Sequence, residues 1–346
     1  MAIINSSNAI PAKARAKYGK RLREKDYKIL ISCKTVAEVV SYLKFNTHYS
    51  SALTKVNEYD VHRGQIETIL RQKLFYDFDS LCRYEMSAGS RFSRFVLRRY
   101  EIMQIIHFLT LLNSDKAGDY IFIMPEYFNS HTEIDLVSLI NAKSYEQLIL
   151  AVKGSPYEEI LPDFSPDGNG RADIAAIEHR LYVFMYTELY EAIEKDSVKS
   201  EKAELKKMFD TLIDFMNYAK IYRLHTFYRK SPQEIEKSLL PFGSVNLQQV
   251  ENLCGTDNIT QFLDALLKTP ARRVLKNIHY NFTGEIPTRV RYNISKRNMF
   301  FSASPVVVLL SYVFVTNTEL LNVVNIIEGV RYGLKPEEID NLLIYR

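Results

Sequence analysis

The stretch DFSPDGNGRADI, residues 163–174, puts Asp163, Ser165, Asp167 and Gly168 at the first, third, fifth and sixth positions of a calcium-binding EF-hand loop. The twelfth position should be a glutamate that grips the ion with both oxygens, but here it is Ile174. A surface turn accounts for the same residues. The histidines, His48, His62, His107, His131, His179, His225 and His279, form no HxxxH or HExxH pair that would bring two rings onto one helix face. His107 and His225 fall in apolar surroundings and read as packed or half-buried side chains. Cys33, Cys82 and Cys254 are far apart, with no CxxC, and read as small core hydrophobes in a reducing compartment. GVRYG, residues 329–333, lacks both the GxGxxG spacing and the GK[ST] ending of a phosphate loop. There is no GxSxG elbow, and nothing converges two of the carboxylates. No catalytic residue, cofactor site or metal ligand is expected.

Charge offers more. Arg91, Arg94 and Arg98 are spaced to share a helix face, either simply solvated or facing an acidic protein partner. The net charge is +4, yet residues 1–30 carry eight Lys and Arg against Glu24 and Asp26, leaving the rest slightly acidic. With 23 tyrosines, such an arm could suggest base stacking and phosphate contacts. Tyr42, Tyr182 and Tyr218, however, sit at helical-face positions, and a pI of about 8.7 is below the strongly basic footprint. No nucleic-acid partner is expected.

The elements that carry these residues are helical. The chain is 47% hydrophobic with 12 Gly and 11 Pro in 346 residues, the composition of a folded, helix-rich protein. Its longest apolar run, PVVVLLSYVFV at 305–315, has 11 residues, short of the roughly 20 that span a membrane. The N-terminus lacks an apolar signal core, so a soluble, cytosolic chain is expected.

One unit recurs: KTVAEVVSYLKFNTHYSSAL (34–53), KSYEQLILAVKGSPYEEIL (143–161) and DNITQFLDALLKTPARRVL (257–275). Each opens on a capping residue, Thr35, Ser144 or Asn258, with Glu38, Gln147 or Gln261 three positions later, the spacing of a capping box. Apolar residues follow on one face, and each copy breaks at Thr47, Pro156 or Pro270. Two long helical patterns follow each copy: 61–83 and 90–112, then 172–194 and 202–229, then a shorter 288–301 and 305–333. In the last, Leu320, Val323, Val324, Ile327 and Val330 form a stripe, with Glu319, Asn322, Asn325 and Glu328 opposite. Gly333 suits the left-handed residue that ends a helix, and Pro336 starts another, as Ser231 and Pro232 do earlier. GDYIFIM (118–124) is the one persuasive strand. The expected fold is all-α, with helical repeats at 1–128, 129–245 and 246–346.

With these features in hand, the chain resembles the C/d subunit of V/A-type rotary ATPases, in its prokaryotic form. The resemblance rests on EKDYKILISCKTVAEVVSYLKFNTHYSSAL, FMNYAKIYRLHTFYRKSPQEIEKSLLPFG and TELLNVVNIIEGVRYGLKPEEIDNLLI, in that order. Lys335 departs from it, standing where Ser231 caps the middle copy. The resemblance implies a funnel of three pseudo-symmetric helical bundles, without an active site. It would sit on the cytoplasmic mouth of the membrane rotor ring and receive the central stalk, passing torque during proton or sodium transport. The partners implied are the central-stalk subunits and the rotor ring, with no membrane span of its own. Candidate partner contacts are Arg91, Arg94, Arg98, Glu319, Asn322 and Glu328. The competing reading is a helical-repeat scaffold unrelated to rotary ATPases.

Overall fold

A computed structural model describes residues 9–60, 62–82, 89–120, 130–166, 171–276, 278–280 and 283–346. Among them there is no strand, and the all-α expectation holds. In chain order the helices longer than one turn are α1 (Ala9–Gly19), α2 (Glu24–Ile31), α3 (Val36–Asn46), α4 (Arg63–Cys82), α5 (Gly89–Leu112), α6 (Leu136–Asn141), α7 (Tyr145–Ala151) and α8 (Ile174–Asp196). They continue as α9 (Lys199–Tyr228), α10 (Pro232–Ser238), α11 (Leu247–Cys254), α12 (Ile259–Leu266), α13 (Ile286–Phe301), α14 (Pro305–Arg331) and α15 (Pro336–Asp340).

The chain forms two compact units. One joins its two ends, Met1–Ser87 with Pro270–Arg346, and the other is the contiguous Ala88–Thr269. In the first, Tyr27, Leu30, Val39, Val40 and Leu43 from α2 and α3 pack with Leu320, Val323, Ile327 and Ile339 from α14 and α15. Each such side chain contributes roughly 1.5–3 kcal/mol of transfer free energy, offset by the entropy of ordering the chain. α14 is long and apolar enough to cross a membrane, but 83% of its most apolar window is buried by the rest of the chain, as in a core helix. In the contiguous unit α5 lies along α8, and Phe95 meets Phe209 of α9 edge-on at 5.3 Å.

The helix starts follow their sequence signals. Thr35, Ser144 and Asn258 each accept a hydrogen bond from the backbone N–H three residues on. The answering side chains Glu38, Gln147 and Gln261 reach one residue further back than in a capping box, to the N–H of Lys34, Lys143 and Asp257. The same variation occurs all three times. Ser304 caps α14 through the Val307 N–H, ahead of a proline at the first helical position. Ser231 and Glu234 form a full capping box. At Lys335 only half remains, with Glu338 accepting the Lys335 N–H at 2.8 Å. The long helices α5, α9 and α14 are each followed within three residues by a left-handed one, Asp115 (φ 58°), Arg229 (φ 53°) and Gly333 (φ 68°). Only the last is a glycine, where that conformation is cheapest.

Other expectations need correction. His107 is exposed, beside the Tyr120 ring at 5.6 Å, because its side of α5 is uncovered. The three cysteines are half-buried rather than core residues. Of the GDYIFIM strand, Gly118 and Asp119 form a 3-10 turn and residues 121–124 lie outside the described residues. Asp167 and Gly168 of the EF-hand-like loop also lie outside them.

Candidate functional site

A second recurrence, which the three capped helices gave no hint of, lies on the long helices. YEIMQII (100–106), IDFMNYA (213–219) and TELLNVV (318–324) each hold an acid followed three residues later by an amide: Glu101 and Gln104, Asp214 and Asn217, Glu319 and Asn322. That spacing puts acid and amide on one helix face, one turn apart. In the structure all three acids point inward, and all three accept a backbone N–H from the segment leading into a pair of short helices. Glu319 of α14 accepts from Leu22, ahead of α2 and α3, at 2.8 Å. Glu101 of α5 accepts from Glu133, ahead of α6 and α7, at 3.2 Å. Asp214 of α9 accepts from Ser244, ahead of α11 and α12, at 2.6 Å. A carboxylate–amide bond between separate elements is charge-assisted and directional, so it sets their register as well as holding them together.

The three joints are finished differently. Glu101, 1% exposed, also accepts from the Tyr157 hydroxyl at 2.7 Å, from Thr132 at 2.8 Å and from Arg98 at 3.0 Å. Arg98, 2% exposed, spends its remaining nitrogens on Glu133 at 2.9 Å and Glu188 at 3.1 Å. Burial would lower the pKa of Arg98, but its electrostatic interactions with Tyr157, Glu101 and Glu188 more than compensate and raise it. Burial, reinforced by Glu101, pushes the Tyr157 hydroxyl well up.

Glu319, 7% exposed, accepts from the Tyr49 hydroxyl at 2.8 Å, and His48 Nε2 stands 3.3 Å from the same oxygen. No arginine or lysine pairs with it among the described residues. Burial pushes its pKa up to about 7, against the lowering effect of the Tyr49 and Leu22 bonds. Burial, with the charge of Lys73 adding to it, pushes His48 down to about 4, so the ring is neutral at pH 7. Asp214 is half-buried and takes the Ser244 hydroxyl on its second oxygen at 2.6 Å. Burial raises its pKa while the Ser244 bonds oppose the rise.

The amides do matching work. Asn322 and Asn217 each pair with both backbone groups of one distant residue, Ile344 at 2.8 and 2.9 Å and Leu240 at 3.0 Å in both directions. Gln104 instead accepts from the Tyr120 hydroxyl at 2.8 Å.

Of the six residues expected as partner contacts, Arg94 is exposed and Glu328 is half-buried, bonded to Arg63 and Arg331. The Arg91 side chain lies outside the described residues. Arg98, Glu319 and Asn322 are interior, their polar atoms taken by neighbours in the chain, so the shared arginine face and the polar edge of α14 are not surfaces at these positions. Spacing along one helix says which residues align, but not which other segment covers them.

The inward acids form a hydrogen-bonded set that joins helices, and no group of potential metal ligands occurs among the described residues. Comparison with known proteins agrees with an assembly component. The family model described as ATP synthase (C/AC39) subunit matches residues 10–342, and the chain belongs to this family. The C subunit of the A-type ATP synthase from Desulfurococcus sp. (strain SY) is 23% identical over 341 residues, covering 96% of this chain and 88% of the relative. Its counterpart from Thermococcus onnurineus is 21% identical over 341 residues with the same coverage. The one from Methanococcoides burtonii is 26% identical over 259 residues, covering 72% of this chain and 69% of the relative.

Proposed function

We propose that this chain is the non-catalytic rotor adaptor of an A/V-type rotary ATPase, linking the central stalk of the ATP-hydrolysing head to the membrane rotor ring at its cytoplasmic face. The observation that carries the reading is the order of the three carboxylate joints, taken with family membership. With helical modules at 1–128, 129–245 and 246–346, Glu101 of the first module holds Glu133 of the second. Asp214 of the second holds Ser244, on the threshold of the third, and Glu319 of the third returns to Leu22 of the first. On this reading the first joint links module to module, the second closes on the segment just before the third module, and the third returns to the first, a connectivity suited to bearing torque without shear. The three-module funnel implied by the resemblance belongs to the same proposal, as does the absence of catalytic and cofactor residues. Arg94 and Glu328, with Arg91, are the proposed partner contacts.

Affinity purification of the tagged chain from its own membranes, followed by mass spectrometry, is expected to recover stalk and rotor-ring subunits. Its deletion is expected to leave ATP hydrolysis by the head but abolish ion transport. A complex that stays fully coupled without the chain would refute the assignment.

A further inference from the structure

The unit formed from the two chain ends contains a cavity of about 240 Å³ whose charge is unbalanced. Lys17, Arg21, Arg23 and Lys296 line it against the carboxylates of Glu24 and Glu319, and Lys17 is itself paired with Asp77. Both Glu319 oxygens are already bonded, by Tyr49 and by the Leu22 N–H, so this acid forms no ion pair with the lining cations, although its charge is felt at Arg21. Glu24 lies toward Lys28 and Arg346. Half-buried cations elsewhere in this unit hold carboxylates: Lys44 with Glu58, Arg71 with Glu67, Lys73 with Asp77. Arg21 and Lys296 are half-buried too, and neither has a carboxylate within ion-pair distance among the described residues. Each is instead held over a tyrosine ring, Arg21 at 4.2 Å from Tyr18 and Lys296 at 5.7 Å from Tyr292. The two come from separate elements, the turn after α1 and the middle of α13, and face the same space.

We propose that this cavity is a binding site for a small polyvalent phosphate, with Arg21 and Lys296 as its charge-bearing residues. A guanidinium fork with an ammonium and nearby phenols matches phosphate oxygens better than it matches a carboxylate or a halide. The volume is below the roughly 300–1,000 Å³ of pockets for drug-sized ligands, which favours inorganic pyrophosphate or a small phosphate ester over a whole nucleotide. Cations held on aromatic faces keep their positions with the space empty, so little ordering is needed when the anion arrives.

Calorimetric titration of the full chain with inorganic pyrophosphate tests the site. Binding is expected, with Arg21→Gln and Lys296→Gln each weakening it about tenfold or more, as losing a charge-assisted bond does. Lys143→Gln, an exposed position in the other unit, should bind like the wild type. Thermal melting of all four proteins without ligand checks that the variants fold, since both substituted side chains are partly solvated. A second arm uses vesicles containing phosphatidic acid. Sedimentation with them that depends on Arg21 and Lys296, without pyrophosphate binding, would make the phosphate source a lipid headgroup. The proposal is overturned if neither probe binds, or if binding survives in both cavity variants, or if Lys143→Gln loses it equally.

Discussion

Two buried glutamates in this molecule hold the same post with different support. Glu101 and Glu319 occupy matching places on long helices, and each ties a backbone N–H and a fully buried tyrosine hydroxyl. Glu101 has Arg98 against it, whereas Glu319 has a neutral imidazole. An ion held by a counter-ion keeps its charge in the interior, while an ion held only by neutral donors drifts toward protonation. The first joint should therefore fail when its arginine is removed. The second should tolerate losing its charge and respond to pH instead.

The largest effect is expected at Arg98. Arg98→Met leaves Glu101 buried without its cation and should lower unfolding stability by about 3–5 kcal/mol in urea titrations. The reciprocal removal of charge, Glu319→Gln at pH 7, should cost far less. Equal losses from the two substitutions would mean that the counter-ion does not distinguish the two glutamates.

The Glu319 joint should also respond to pH. The folded-state pKa of Glu319 is raised from 4.5 to about 7, so the native state binds more protons than the unfolded chain between those values. Its contribution to stability therefore falls as pH rises across that window, by roughly 3 kcal/mol at full titration. His48, lowered from 6.5 to about 4, works the opposite way, its contribution being lost as pH falls through the same region. The two slopes oppose each other between about pH 4.5 and 6.5. Glu319→Gln should leave stability rising with pH there, and His48→Asn should leave it falling, as read from unfolding midpoints across a pH series. Slopes unchanged in both variants would show that neither group titrates as its surroundings dictate.

The third joint is the least defended: among the described residues neither an arginine nor a tyrosine is bonded to Asp214. The positions that align with Tyr49 and Tyr157 in the third copy fall to Ala271. Gly243, at φ 84°, lies so close to Asp214 that a Cβ would collide with its carboxylate. Gly243→Ala combines a left-handed strain with that collision and should cost about 1–3 kcal/mol. Smallest are the caps: Thr35→Ala, Ser144→Ala and Asn258→Ala should each cost about 1 kcal/mol, with similar values because the three caps are built alike. A large spread among the three would mean that the joints, not the caps, set local stability.

Much of the fold was legible in the residues. Ser304 with Pro305, Ser231 with Pro232, and Gly333 all did what local chemistry requires, because caps and left-handed ends are settled within four or five residues. The joints were less legible. Arg98 looked like one member of a solvated stripe because its acidic neighbours Glu133 and Glu188 arrive from 35 and 90 positions away. Glu319 and Asn322 looked like the wet side of α14 because the stripe opposite them was so clearly apolar. Only the cover supplied by Leu22, Tyr49 and Ile344 makes that side interior. The acid–amide spacing was nevertheless present three times, and aligning the long helices rather than the short ones would have exposed it.

The partition of the chain also constrains its birth. Residues 88–269 can complete their contacts as soon as they leave the ribosome, whereas α2 and α3, translated far earlier, must wait for α14 before their apolar faces are covered. For most of synthesis the nascent N-terminal helices have only one another and α4 as cover, and truncation near the 3′ end of the message would leave the surface meant for α14 open to chaperones and proteases.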